Sequence, residues 1–266
     1  MRGERALWIY SIRWLSAGLV AALAATLFAL PAAAQGNLPA GFVYLRDVDP
    51  TIAQDMRYAG LNNFVGRPLP GYGAHECVLR GDTALALKRV QADLVRAARL
   101  SLKVFDCYRP VRAVRAMAQW ANDGKSDGPT KRFYPALSKQ ALFASGYIAL
   151  ESAHSTGTAV DLALVPVTAP PAAPFDPAAR YGPCTAPASQ RGPDDSLDMG
   201  TGFDCFDNKS HTRSPAIDAE QRRLRSLLVA AMARHGFKNY FREWWHFAYA
   251  VGSPAMLHDF PIRPRK

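Results

Sequence analysis

Apolar residues along the chain recur with two spacings, and each spacing predicts an element. From Asp82, read as an N-cap, Leu87, Val90, Leu94 and Ala97 or Ala98 follow at the repeat of one helix face. Leu102 to Tyr108 reads as a buried strand ended by Arg109-Pro110. Pro110 suits the first position of a helix running to about Asn122, with Val111, Val114 and Met117 or Ala118 on one side. Residues 159–165 alternate, so Val160, Leu162 and Leu164 share one face of a strand and Asp161 points the other way. A second long helix is predicted from about Ile217 to His235, with Leu224, Leu227, Leu228 and Ala231 inward and Gly236 as its stop. Phe42 to Leu45 and the aromatic stretch Trp244 to Val251 read as strands, and Pro166 to Pro193, lacking any period, as a long surface loop. Short strands mixed irregularly with helices, without strict βαβ alternation or internal repeats, predict a single α+β domain.

The first thirty-four residues follow a different pattern. Arg2, Arg5 and Arg13 precede an apolar run from Leu15 to Leu30, and Pro31-Ala32-Ala33-Ala34 follows. A basic start, an apolar middle and small residues at the end describe a secretory leader, so residues 1–34 are expected to be a signal peptide cleaved near Ala34 and residues 35–266 the working domain. An uncleaved anchor is the competing reading of the same run. The expected location is therefore outside the cytoplasm, periplasmic or secreted. Four cysteines in an exported chain permit disulfides, and pairing within each half, Cys77 with Cys107 and Cys184 with Cys205, is the simplest arrangement.

The chain carries a formal charge of +10, and loss of the leader removes three Arg and one Glu, leaving +8. Such a surplus invites a nucleic-acid reading, but no Lys/Arg cluster of the required density is present, and the densest run, Gln221 to Arg225, reads as a solvated helix face. For an exported protein, a weak attraction to an anionic wall or membrane surface is the better use of the charge; no nucleic acid and no obligate protein partner are expected.

Three patches gather reactive side chains. Glu151 to Asp161 holds His154 among small residues, with Asp161 on the non-core face of the strand seven positions later; both types are competent zinc ligands. Arg242-Glu243-Trp244-Trp245-His246-Phe247 sets a carboxylate and an imidazole among large aromatics, where an ionised group is costly unless paired or metal-bound. On a regular strand Glu243 and His246 would face opposite ways, so they share a site only if the chain bends near Trp244. The third patch, Asp106 to Pro110, puts Arg109 at the rim of the predicted sheet, able to bind a carboxylate or an oxyanion. Singly, each has a bland alternative: a structural histidine, a surface ion pair. Together they form the inventory of a catalytic zinc site, and on residues alone both readings stay open.

These residues resemble the D-alanyl-D-alanine dipeptidase family of zinc peptidases, the VanX-like branch of the D,D-peptidases. The resemblance rests on Arg57-Tyr58-Ala59 with Asn62 to Gly66, Asp106 to Pro110, Ser152-Ala153-His154 through Asp161, Asp198 to Asp204 and Glu243 to Phe247, and spans about Phe42 to Pro261. It implies a central, mainly antiparallel sheet flanked by helices, as in the hedgehog and D,D-peptidase folds. It also implies one zinc ion per chain held by His154, Asp161 and His246, Glu243 as the catalytic base, Arg109 at the oxyanion, and Tyr58, Ser152 and Asp204 lining a small substrate pocket. The implied reaction is hydrolysis of D-Ala-D-Ala to two D-alanine in peptidoglycan metabolism, with a D,D-carboxypeptidase or endopeptidase on longer peptides as the alternative. Two features depart from the family pattern: Cys107 stands where many relatives have Gly, and the Pro/Ala-rich loop before Asp198 is longer than in compact members.

Overall fold

A buried strand needs both faces covered and every backbone group paired, and residues 159–166 meet both demands at the centre of the sheet. The computed structural model describes residues 38–125, 128–250 and 256–266, so the predicted leader lies outside the described residues. In chain order the elements are β1 (Phe42–Tyr44), α1 (Leu45–Val48), β2 (Ala53–Gln54), β3 (Val78–Arg80), α2 (Gly81–Ala98), β4 (Leu100–Asp106), α3 (Val111–Ala121), α4 (Ala141–Ala144), β5 (Ala159–Pro166), α5 (Ala219–Ala233), β6 (Phe237–Asn239) and β7 (His246–Tyr249). The main sheet has the order β2-β4-β5-β7-β6, antiparallel throughout except for the β2/β4 pair, and β1 pairs with β3 in a separate ribbon. This is the expected α+β architecture with a mainly antiparallel sheet. Among the described residues no helix is long and apolar enough to cross a membrane.

Leu87, Val90 and Leu94 of α2 and Leu224 and Leu228 of α5 join Leu162 and Leu164 of β5 in one buried cluster. At about 1.5–3 kcal/mol for each fully buried large aliphatic side chain, this cluster is the main cohesion between helices and sheet. A second cluster, with Tyr58, Phe64, Tyr108, Met117 and Trp120, packs around α3. Two disulfides, Cys77–Cys107 and Cys184–Cys205, give the pairing expected from the halves. In the chain-entropy account each stabilises by roughly 3–4 kcal/mol, because it closes a loop of twenty to thirty residues in the unfolded chain.

Several expectations are corrected. Asp82 is not an N-cap: β3 runs to Arg80, the helix begins at Gly81, and Asp82 sits in the first turn, where its carboxylate accepts from Thr83 N at 2.7 Å and complements the helix dipole. The inward stripe of α2 stops at Leu94; Ala97 and Ala98 are exposed because Arg99 turns the chain away in a left-handed conformation, φ 54°. The last long helix is α5, opened by a capping box between Asp218 and Gln221. Its basic run is not wholly a solvated face, since Arg225 is 1% exposed and donates to the carbonyls of Met199, Lys209 and His211. The aromatic strand begins only at His246, and β6, which no spacing announced, pairs with it. Residues 167–193 are irregular and mostly exposed, as predicted for a surface loop.

Candidate active site

Strand register gathers the first part of the site. Asp106 of β4 faces Asp161 of β5, and Asp161 faces His246 of β7, so the three stand side by side across the sheet. A register shift between Val104 and Asp106 makes this row: without the bulge, Asp106 would share the face of Val104 and Leu162. The alternation that sends Leu162 and Leu164 into the core sends Asp161 into the site.

His154 comes from the 3₁₀ turn Ala153–Thr156 that enters β5. The Ser152 hydroxyl caps this turn by accepting from His154 N at 3.2 Å. Gly157 ends it at φ +76°, where any Cβ would collide with the Phe42 ring, so the turn can sit this low against the sheet only with glycine there. The turn is also tied to the third patch: Arg109 N donates to His154 O at 3.2 Å and Ser155 Oγ to Arg109 O at 2.8 Å.

Glu243 and His246 do share the site, and the bend that sequence alone left open is a β-turn. His246 N donates to Glu243 O at 3.3 Å, which reverses the chain through Trp244 and Trp245. Both tryptophans are buried, Trp244 donating through Nε1 to Thr201 Oγ1 at 2.8 Å and Trp245 packed edge-on against Phe203. Glu243 Oε2 thereby stands 4.0 Å from His246 Nδ1.

His154, Asp161 and His246 each present one ligand atom, all within 4.8 Å of one another. His246 Nδ1 lies 2.9 Å from Asp161 Oδ1, and His154 Nε2 lies 3.3 Å from the same oxygen and 3.1 Å from His246 Nδ1. The tautomer of His154 is fixed, because its Nδ1 is 2.7 Å from the carbonyl oxygen of Cys107, which can only accept; in the neutral ring the lone pair is left on Nε2. Burial pushes the His246 imidazole towards its neutral form. Burial opposes ionisation of Asp161, but His154, followed by His246, overcomes it and holds the carboxyl far below the usual carboxylate range. Two imidazole nitrogens and a carboxylate oxygen converging this closely are a donor set for a cation, and N,N,O is a zinc-type set.

Arg109 is aimed at the same space. Its Nε donates to Asp106 Oδ2 at 2.8 Å, its Nη2 lies 2.7 Å from that oxygen and 3.5 Å from Asp161 Oδ2, and its guanidinium stacks over the Tyr58 ring. Burial works against its charge, yet Asp106 and the other surrounding oxygens keep it firmly protonated. Asp106 is fully buried, and its other oxygen accepts from Tyr72 at 2.6 Å. Asp204, also in the lining and held in a left-handed conformation at φ 57°, accepts from Tyr58 Oη at 2.8 Å. Burial, then the Asp161 charge, raises the Asp204 carboxyl well above its ordinary value. Glu243 is raised likewise, by burial and then by Asp161 and Asp204.

All eight residues singled out from sequence, Tyr58, Arg109, Ser152, His154, Asp161, Asp204, Glu243 and His246, line one cavity of about 260 Å³. Sequence reasoning quoted Asp106 but gave it no role, and it passed over Tyr72 and the wall residues Tyr147 and Tyr240. The Asp106/Arg109 spacing of three at a strand end was the available signal for the first; nothing local marks the others.

The family profile described as D-ala-D-ala dipeptidase matches residues 39–168 and 188–258. The D-alanyl-D-alanine dipeptidase of Streptomyces coelicolor is 33% identical over 83% of this chain and 98% of its own. That of Enterococcus faecium is 28% identical over 84% and 98%, and that of Escherichia coli 27% over 82% and 90%. Among solved structures, a vancomycin-resistance D,D-pentapeptidase in complex with Zn(II) covers 75% of this chain and 86% of that chain, with 13% identity and a TM-score of 0.32.

Proposed function

The chain belongs to the D-ala-D-ala dipeptidase family of peptidases, and on that premise we propose that it is a zinc-dependent enzyme that hydrolyses D-alanyl-D-alanine to two molecules of D-alanine. The observation that supports this best is the convergence of His154, Asp161 and His246 beside Glu243 and Arg109 in a cavity that Asp204 also lines. One zinc ion per chain would be held by the first three. Zinc in such a site supplies Lewis acidity, which makes water acidic near neutral pH and polarises a carbonyl.

The remaining work belongs to the chain. Glu243 takes the proton of the attacking water on its carboxylate and delivers it to the amine nitrogen as the peptide bond breaks; its raised pKa suits a group that must both accept and release a proton. Arg109, fixed by Asp106, donates to the oxygen that becomes negative in the tetrahedral intermediate. Asp204, with Tyr58 orienting it, receives the substrate ammonium. An N-acylated substrate brings no cation to Asp204 and forgoes that ion pair, which favours a free dipeptide. The cavity is also smaller than the roughly 300–1,000 Å³ of sites for drug-sized ligands, which favours a two-residue substrate.

Export is part of the proposal. Besides the leader-like residues 1–34, two disulfides and no free cysteine among the described residues favour an oxidising compartment. Metal analysis of the isolated protein, with hydrolysis assays on D-Ala-D-Ala and N-acetyl-D-Ala-D-Ala, tests the reading. Stoichiometric zinc and cleavage of the free dipeptide alone are expected. Equal cleavage of the acylated substrate would move the assignment to a carboxypeptidase, and a zinc-loaded but inactive protein would refute it.

A further inference from the structure

The family profile leaves out residues 169–187, and that stretch forms one wall of a second cavity, of about 840 Å³, lined by none of the eight residues above. The stretch is anchored rather than loose. Cys184 is bonded to Cys205, and its N donates to Arg132 O at 2.8 Å. Asp176 N donates to Tyr181 Oη at 3.1 Å, and the rings of Phe175 and Tyr181 stack with centroids 5.4 Å apart. The opposite wall comes from Arg67 and Trp120.

Among the described residues the charge of this cavity is unbalanced. Arg67 and Arg180 are exposed, Arg132 is half-buried, and none of the three forms an ion pair with a carboxylate among the described residues. The guanidinium of Arg132 instead lies over the rings of Phe133, Phe175 and Tyr181, with Asn62 Oδ1 as a neutral acceptor at 2.9 Å. Burial, and then the neighbouring Arg57, pushes it down to about 10, the mark of a cation short of a counter-charge. Among the described residues of the lining the carboxylate is Asp123, already engaged by Lys139 at 2.7 Å. Guanidinium groups bind carboxylates through paired hydrogen bonds, and flat aromatic faces beside them suit a ring-bearing polymer.

We propose that the groove between residues 175–181 and Arg67/Arg132 is an accessory binding site for a carboxylate-bearing glycan strand. Single-stranded nucleic acid would satisfy similar chemistry. The glycan is favoured because the two disulfides suit an exported protein, for which acidic wall glycans are the expected polyanion; on that point the inference rests on the export reading. The site would hold the protein on an anionic polymer while the catalytic cavity remains open.

The test uses the full mature protein and polygalacturonate, a carboxylate glycan without peptide, so that binding is read independently of hydrolysis. Intrinsic tryptophan fluorescence reports the titration, with dextran as the neutral glycan and an oligonucleotide as the other polyanion. The double variant Arg67→Gln/Arg180→Gln, both exposed, is expected to bind polygalacturonate about fivefold more weakly than wild type. Lys88→Gln/Arg89→Gln, with the same charge change on α2, is expected to bind like wild type, and D-Ala-D-Ala hydrolysis to be unaltered in both. Equal weakening in the two variants would reduce the effect to net charge and overturn the proposal. Absence of binding, equal binding to dextran, or tighter binding to the oligonucleotide would overturn it too. If wild type binds the glycan but hydrolyses no dipeptide, the catalytic reading fails and this one stands.

Discussion

Replacing Asp106 by Asn changes almost no volume and removes one charge, and its consequences can be worked out from the contacts. The carboxylate is fully buried and accepts from Tyr72 Oη at 2.6 Å, with Arg109 Nε and Nη2 at 2.8 and 2.7 Å from its other oxygen. An amide offers one acceptor oxygen in place of two and presents an NH₂ to one of these donors, so either Tyr72 or Arg109 loses its partner. Leaving one half of a buried ion pair uncompensated costs roughly 3–5 kcal/mol, and the lower end applies because Arg109 keeps Asp161. Loss of about 3 kcal/mol from a total of roughly 5–15 leaves the variant folded but measurably weaker in urea titration. Turnover suffers separately. In the proposed mechanism Arg109 is a preorganised donor whose direction Asp106 sets, and removal of such a donor costs about 10²–10³ in kcat. KM for D-Ala-D-Ala is expected to change little, because the proposed contacts to the ammonium are made by Asp204 and Tyr58 and not by Asp106. Steady-state kinetics on folded protein at 25 °C separates these effects. A variant that loses stability but keeps kcat within about threefold of wild type would show that Asp106 does not position Arg109 for the reaction, and the argument from preorganisation would be wrong.

Glu243→Gln is expected to retain its metal, since Glu243 is not in the ligand cluster, while kcat falls by about 10²–10⁴; metal content and turnover measured on one sample check this, and near-wild-type turnover would refute the base assignment. His154→Ala is expected to lose bound zinc as well as activity, which dialysis followed by metal analysis would reveal. Asp194 carries a pH prediction. Burial alone would raise its carboxyl, but Arg57 and Lys103 outweigh burial and hold it down to about 2. Its depressed folded value means that stability is present above the unfolded pKa and is lost as pH falls towards 2. Solvent reaches this carboxylate and screens its partners, so urea titrations at pH 5 and pH 2.5 should show about 1 kcal/mol of that loss disappearing in Asp194→Asn, and an unchanged difference would contradict it.

What could be read in the sequence was what local period encodes. Val160, Leu162 and Leu164 alternate with Asp161, so both the strand and the outward direction of the aspartate followed from period two, and α3 followed from Pro110 and its apolar stripe. The turn at Glu243 did not follow, because a run of large aromatics reads the same in a strand and in a turn whose tryptophans are buried by distant partners, Thr201 and Phe203. Asp106 took its place through a bulge that exists only when β4 pairs with β5, a relation between residues more than fifty positions apart. Arg225 looked like one more solvated cation because its partners, the carbonyls of Met199, Lys209 and His211, carry no side-chain signature. The five segments behind the family resemblance stood together in sequence without any hint of the register that joins them.

The β-turn from Glu243 to His246 has a mechanical consequence. Its hydrogen bond, its two buried tryptophans and the bond from Leu162 N to Trp245 O make the proposed base and one proposed ligand parts of a single rigid corner bolted to the sheet. No hinge lies between them, so their separation is a fixed dimension of the enzyme. The wall opposite is made differently, from Gly146 to Ala153 on a loop joined to that corner through Tyr240 Oη to Gly146 O and Arg242 Nη1 to Ser145 O. The proposed base and ligand thus sit on the sheet, while part of the cavity lining comes from a loop tied to it by two side-chain hydrogen bonds. A lineage could reshape this side of the cavity by editing residues 146–151, short of the Ser152 cap that presents His154.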